Sequence, residues 1–121
     1  QAKVPEMRAR RAGLIRQAAF VINPSLYEGW SITVEEAKSV GKALLLSDIA
    51  VHREQSAPGA RFFDPLNAEA LASAMASMWR ETSAGPDQRM ESCAAAAYPD
   101  RMRAFARSFA GICGEAAAAG K

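Results

Sequence analysis

Three short, unbroken apolar runs, each closed by a polar or proline-containing loop, constrain this chain most tightly. Residues 19–23 read Ala-Phe-Val-Ile-Asn, residues 43–47 read Ala-Leu-Leu-Leu-Ser, and residues 61–63 read Arg-Phe-Phe, followed by Asp64 and Pro65. They are too short for core helices and do not alternate apolar with polar. Such runs suit strands covered on both faces, as in a parallel sheet. The segments between them carry helical spacing. Residues 6–18 place Met7, Arg11, Leu14, Ile15 and Ala18 on one partly apolar face. Residues 33–40 form a second helix, stopped by Gly41 at C′. Residues 51–55 suit a single turn, and residues 57–60 (Ala-Pro-Gly-Ala) a connecting turn. Asn67 is a good N-cap for a helix to about residue 80, striped by Leu71, Met75, Met78 and Trp79. Two further helices are expected, over 88–97 and 100–118, separated by a break at Tyr98-Pro99-Asp100. The last carries a stripe of Met102, Phe105, Ala106, Phe109, Ile112 and Cys113. Gly120 and Lys121 are expected to fray. Helix alternating with short buried strand predicts an α/β fold.

At 121 residues the chain holds one domain. A net charge of +2 implies no polyanion partner, so no nucleic acid. The locally basic start (Lys3, Arg8, Arg10, Arg11, Arg16) reads as a solvated helix face rather than a lipid or nucleic-acid patch. Cys93 and Cys113 lack metal-ligand spacing and are expected as reduced, buried thiols of a cytoplasmic protein. No apolar run approaches the length of a membrane span, and no signal peptide is read. The chain starts at Gln1 without Met, which suggests a processed piece of a longer protein.

The chemistry gathers in residues 24–41, Pro-Ser-Leu-Tyr-Glu-Gly-Trp-Ser-Ile-Thr-Val-Glu-Glu-Ala-Lys-Ser-Val-Gly. In open parallel sheets ligands sit beyond the C-terminal strand ends. The loops after Asn23 and Ser47 both fall there. A helix start offers free amides and a positive dipole end, which suit a phosphate. Glu28 and Glu36 bracket that start, and carboxylates suit hydroxyls. Together these features fit a sugar nucleotide.

These residues resemble the signature of the retaining, GT-B-fold group 1 glycosyltransferases of the family 4 type. That signature centres on a Glu, seven residues and a second Glu, here Glu28 and Glu36. The flanking Asn-Pro-Ser-Leu-Tyr-Glu-Gly-Trp and Glu-Ala-Lys-Ser-Val-Gly-Lys-Ala-Leu-Leu-Leu-Ser-Asp-Ile also match. So do Val51-His-Arg-Glu-Gln55 and Phe62-Phe-Asp-Pro65. The resemblance spans roughly residues 10–80. It implies a Rossmann-like parallel sheet flanked by helices, an incomplete, later half of a GT-B donor domain. The acceptor domain and the first part of the donor domain, with an Arg and Lys pair for the leaving diphosphate, are expected to lie outside residues 1–121. It implies that Glu28 is the catalytic-site carboxylate, touching the transferred sugar. It also implies that the backbone of Gly29, Trp30, Ser31, Ile32 and Thr33 meets sugar and diphosphate, and that Glu36 accepts from ribose hydroxyls. Ser31 and Thr33 stand where the family commonly has Gly and Pro. A Ser needing positive φ would be strained, so a local difference in the loop is expected.

Several residues also have plainer readings. Thr33 and Glu36 have the spacing of a capping box. Trp30 suits packing or stacking. Glu35 and Lys38 suit a solvated face, Asp48 a loop cap or a place at the site, and Arg53 and Glu54 an exposed turn. His52, the lone histidine, cannot make a metal site or a Ser-His-Asp arrangement by itself.

The expected function is a metal-independent, retaining transfer from a UDP- or GDP-linked sugar to an acceptor hydroxyl. This stretch alone is expected to be catalytically silent. It is expected in the cytoplasm, peripheral at a membrane only through parts outside it. A homo-oligomer is expected through an exposed strand edge at residues 19–23 or through apolar faces. The alternatives are a non-catalytic nucleotide-binding or interaction module on the same half-domain, and a plain structural α/β unit with Glu36 as a cap.

Overall fold

A computed structural model describes residues 3–55 and 57–120. The elements run α1 (Lys3–Gln17), β1 (Val21–Asn23), α2 (Ile32–Ser39), β2 (Leu44–Ser47), α3 (Ala50–Glu54), β3 (Arg61–Phe63), α4 (Ala68–Glu81) and α5 (Gln88–Ala119). All three apolar runs become strands of one parallel sheet, ordered β1-β2-β3. Val21 lies opposite Leu44, and Leu45 opposite Arg61. The fold is therefore α/β, with a parallel sheet flanked by helices, as the alternation predicts.

The central strand, β2, is buried along its whole length because both of its faces are covered. Side chains alternate across a strand. Leu44 and Leu46 point into a cluster with Ile15 of α1, Val34 and Ala37 of α2, and Ala57. Leu45 points the other way, to Phe63 and to Met78 of α4, with Leu71 and Ala74 beside it. Each fully buried leucine stabilises the fold by about 1.5–3 kcal/mol. At the N-terminal edge of the sheet, buried Lys42 donates from Nζ to the carbonyls of Ala18 (2.9 Å) and Gly85 (2.8 Å). It thereby pins the end of α1 to the α4–α5 loop. Burial pushes its pKa down, against the raising effect of Asp87 and Glu91.

Asn67 caps α4, its side-chain oxygen accepting from the Ala70 amide at 2.9 Å. Gly41 ends α2 in the left-handed region at φ 62°, with its own amide on the Lys38 carbonyl and the Lys42 amide on Ala37.

Several expectations are corrected. Residues 88–119 form one continuous helix with Pro99 inside it, rather than two helices. Proline removes one N–H and crowds one carbonyl. Here the alanine run before it and the residues after it keep the ladder on either side. None of α5 is buried: its start approaches Gly41 through Met90, but the stripe from Met102 to Cys113 stays exposed, and Cys93 and Cys113 are exposed free thiols. On α4 only Met78 is buried, while Met75 and Trp79 are exposed. On α1, Met7 and Leu14 are exposed and, among the residues whose burial is described, Ile15 is the one in the core. Gly120 is held by its amide on the Ala116 carbonyl, and Lys121 lies outside the described residues.

Gly41 serves both a turn and a close approach. A Cβ there would meet the Met90 backbone oxygen of α5 at 2.4 Å. Gly41→Ala is expected to lower the unfolding free energy by more than about 2 kcal/mol, from left-handed strain plus displacement of α5. Gly13→Ala, in α1 with nothing within 4 Å, is expected to raise it by about 0.5–1 kcal/mol. Urea unfolding of the two variants checks both signs.

Candidate functional site

The C-terminal ends of β1 and β2 are polar where the rest of the strands is apolar. Asn23 and Ser47 both end buried. Asn23 Nδ2 donates to Ser31 Oγ at 2.9 Å and to Glu28 Oε1 at 3.1 Å. Its Oδ1 accepts from the Ser25 hydroxyl at 2.7 Å and the Ser25 amide at 3.2 Å. Ser25 Oγ also lies 2.8 Å from Glu28 Oε1. The loop after β1 is thus wound around a single side chain.

Ser47 Oγ donates to the Ser25 carbonyl, so the end of β2 holds the same loop. Beneath it lies His52 of α3, fully buried, with Nδ1 2.9 Å from the Ser47 carbonyl and 3.2 Å from Ser47 Oγ. A carbonyl only accepts, so Nδ1 carries the proton. Nε2 is then left as a buried atom without a hydrogen-bond partner. Gln55, also buried, donates from Nε2 to the Ser31 carbonyl and to Glu35 Oε1, both at 2.9 Å.

This network settles the start of α2. Ser31, extended at φ −85°, ψ 106°, is the N-cap, and its hydroxyl accepts from the Val34 amide. The Thr33–Glu36 capping box is therefore overturned. With the cap at Ser31, Thr33 already lies in the first turn, and Glu36 is too deep in the helix to reach back to the cap. Ser31 needs no positive φ, so the strain anticipated there does not arise. By helix geometry the amides of Ile32 and Thr33 have no acceptor within α2.

Glu36 turns instead toward α1. Its Oε1 accepts from Arg11 NH2 at 2.6 Å, across two half-exposed to mostly buried side chains. Its Oε2 is buried and has no hydrogen-bond partner. Helical side chains lean toward the N-terminus, so Glu36 shares a face with Ile32 and Thr33. Glu35 and Lys38 are not simply solvated. Lys38 Nζ binds Glu35 Oε1 at 3.1 Å and the Gln55 carbonyl, and its side chain is mostly buried.

Among the residues expected at the site, Glu28 and Ser31 are joined through Asn23. Gly29 has open space around it. Trp30 is half exposed rather than packed in the core, and Ile32 is exposed. Asp48 is fixed by both oxygens to Arg53, at 2.7 and 2.8 Å, and Arg53 in turn lies 3.8 Å over the Phe62 ring. Asp48 therefore braces its own loop. A cleft of about 250 Å³ lies elsewhere, among Lys38, Gly41, Leu44, Met90 and Cys93; neither Glu28 nor Glu36 lines it. Sequence reading did not single out Asn23, Ser25, Ser47 and Gln55 as members of this network, nor the burial of His52 against Ser47. The available signal was a polar residue closing each apolar strand at the same edge of the sheet.

The fold and this edge define a class: an α/β protein whose polar residues gather at the C-terminal strand ends and a helix start. The family model described as Glycosyl transferases group 1 matches residues 8–98, about three quarters of the chain. The chain belongs to that family, and glycosyl transfer is the activity of its class. No curated protein and no solved structure gives a match. Among the described residues no helix is long and apolar enough to cross a membrane.

The Glu28 carboxyl is held below the usual carboxylate range by hydrogen bonds from Ser25 and Asn23. Its folded pKa is depressed, so its contribution to stability is complete above the ordinary value near ~4.3 and fades as pH falls through the lowered one. Ser25→Ala is expected to move the Glu28 titration upward, read by carboxyl-carbon NMR. An unchanged midpoint would remove Ser25 as the cause.

Proposed function

We propose that this chain forms the donor side of a retaining, metal-independent GT-B glycosyltransferase that uses a nucleotide-diphosphate sugar. The observation that carries the reading is Glu36, a carboxylate with one oxygen on Arg11 and the other buried without a partner. A buried acceptor left unmet costs about 1–3 kcal/mol, and vicinal ribose hydroxyls are donors that would relieve it. The free amides at Ile32 and Thr33 suit the diphosphate. The backbone from Gly29 to Ser31 leads from there to Glu28, which is ionised and oriented by two neighbours. Such a group accepts from sugar hydroxyls and stabilises positive charge at the anomeric carbon, and it is a poor proton donor. The acceptor oxygen would form its bond to that carbon on the face from which the diphosphate departs. The carbon–phosphate oxygen bond breaks with its electron pair going to the diphosphate, and the acceptor proton passes to the leaving phosphate oxygen. Every group assigned here is an organic side chain or a backbone amide, and no metal is needed for these contacts. A cytoplasmic setting, where nucleotide sugars are made, accords with this chemistry.

Ligand-observed NMR with UDP, GDP and their sugar conjugates tests the reading. One nucleotide is expected to bind, and Glu36→Ala is expected to weaken it at least about tenfold, the loss of one or two charge-assisted hydrogen bonds. Equal binding by wild type and Glu36→Ala, or none by either, would reject the ribose role.

A further inference from the structure

His52 is the chain's single histidine, and no step of the proposed transfer uses it. It is fully buried, yet only one of its two ring nitrogens is bonded. Burying an imidazole with an unmet nitrogen costs free energy that an apolar side chain of similar volume would not. What His52 contributes therefore lies at the bonded nitrogen.

That nitrogen acts on the end of β2 in two ways. Nδ1–H donates to the Ser47 carbonyl at 2.9 Å, and the same carbonyl accepts from the Ile49 amide at 2.9 Å. Both lone pairs of the carbonyl are then filled, which fixes the strand end. Nδ1 also lies 3.2 Å from Ser47 Oγ. A hydroxyl facing an N–H presents a lone pair to it, so its own proton is directed elsewhere. The acceptor it meets is the carbonyl of Ser25, in the loop after β1. With the proton on Nε2 instead, Nδ1 would compete for the Ser47 proton, and the Ser25 carbonyl would lose its donor.

Ser25 carries the effect to the site. Its carbonyl is held by Ser47 and its amide by Asn23 Oδ1 at 3.2 Å, so the backbone is tied on both sides of its Cα. Its hydroxyl stands 2.8 Å from Glu28 Oε1. The path to the carboxylate runs through His52, Ser47 and Ser25, and the first two are fully buried, where hydrogen bonds are strong. We infer that His52 is a positioning residue: its Nδ1–H orients the Ser47 hydroxyl, which holds Ser25 against the Glu28 carboxylate. The inference deepens the reading of Glu28 as the donor-sugar ligand, and its consequence for binding rests on that reading. A carboxylate that meets sugar hydroxyls must be placed to within about 0.5 Å, and a loop side chain reaches that precision only through partners locked by packing.

Three variants separate positioning from a merely structural role. His52→Asn keeps an N–H donor near the place of Nδ1 but leaves a cavity, so urea unfolding is expected to show lower stability. His52→Leu fills the volume and removes the donor. Ser47→Ala deletes only the hydroxyl. The Glu28 titration of the ligand-free chain, followed by carboxyl-carbon NMR, is expected to move upward in His52→Leu and Ser47→Ala and to stay in place in His52→Asn. Unchanged midpoints in folded His52→Leu and Ser47→Ala overturn the proposal, and so does a midpoint that follows stability across the three variants. The second readout is the affinity that the sugar adds to the nucleotide, taken as UDP-glucose over UDP and GDP-mannose over GDP. His52→Leu is expected to lower that ratio at least about threefold while UDP or GDP alone binds as in wild type. An unchanged ratio overturns the role of His52 in binding. A sugar that adds no affinity in wild type rejects the donor-sugar reading of Glu28 instead, and the ligand-free titration then decides the link from His52 to Glu28 by itself.

Discussion

Four residues, Leu44 to Ser47, must be enclosed on both faces and both edges, and the chain is arranged to do it. An apolar strand of this kind is stable when both of its faces are covered, and an exposed edge would invite pairing with another chain. β1 and β3 cover its edges, α1 and α2 one face, and α4 the other. Because β2 is parallel to both neighbours, all three C-terminal ends lie on one side. The loops that leave those ends are then forced into proximity. The location of the candidate site is a geometric consequence of burying β2.

Burial also explains why the site rests on so many small polar side chains. The strand ends bring backbone groups to the margin of the core, where water does not reach all of them. Asn23, Ser31, Ser47 and Gln55 satisfy them, and they satisfy one another. The same bonds fix the path of residues 24–31, so Glu28 is positioned by the fold and not by its own loop alone. A carboxylate on an otherwise irregular loop is thereby given the rigidity of the sheet.

The strands, the Gly41 stop and the Asn67 cap were legible because each depends on a local physical rule: unbroken apolar runs, left-handed backbone, side-chain capping. The placement of Glu28, Ser31 and Glu36 around the start of α2 was legible in outline, since chain order alone sets it. What escaped was non-local. Nothing within residues 31–36 tells that Ser31 rather than Thr33 caps the helix; that depends on Asn23 and Gln55 gripping Ser31. Nothing near Lys38 tells that the Gln55 carbonyl lies above it. Pro99 misled for the opposite reason: a local rule was applied where the helix absorbs the loss of one hydrogen bond. The stripe on α5 was read as core because helical periodicity shows only that a face is apolar, and not what covers it.

The shift of the cap by two residues has a consequence for ligand binding. Had Thr33 been the cap, Glu36 would serve the fold, with its acceptor capacity spent on the backbone. With Ser31 as cap, Glu36 has no duty within α2, and only Arg11 constrains it. One oxygen is anchored and the other is oriented and dry. A dry, oriented acceptor binds a donor more strongly than a solvated one, because no water need be removed from it at the moment of binding. The fold pays for this with an unmet group, which is how preorganised sites are generally held. His52 Nε2 and Gln55 Oε1 are likewise buried and unmet. With Glu36 Oε2 they make three buried polar atoms left unmet among the described residues, Gln55 beside the cap residue Ser31 and His52 at the end of β2.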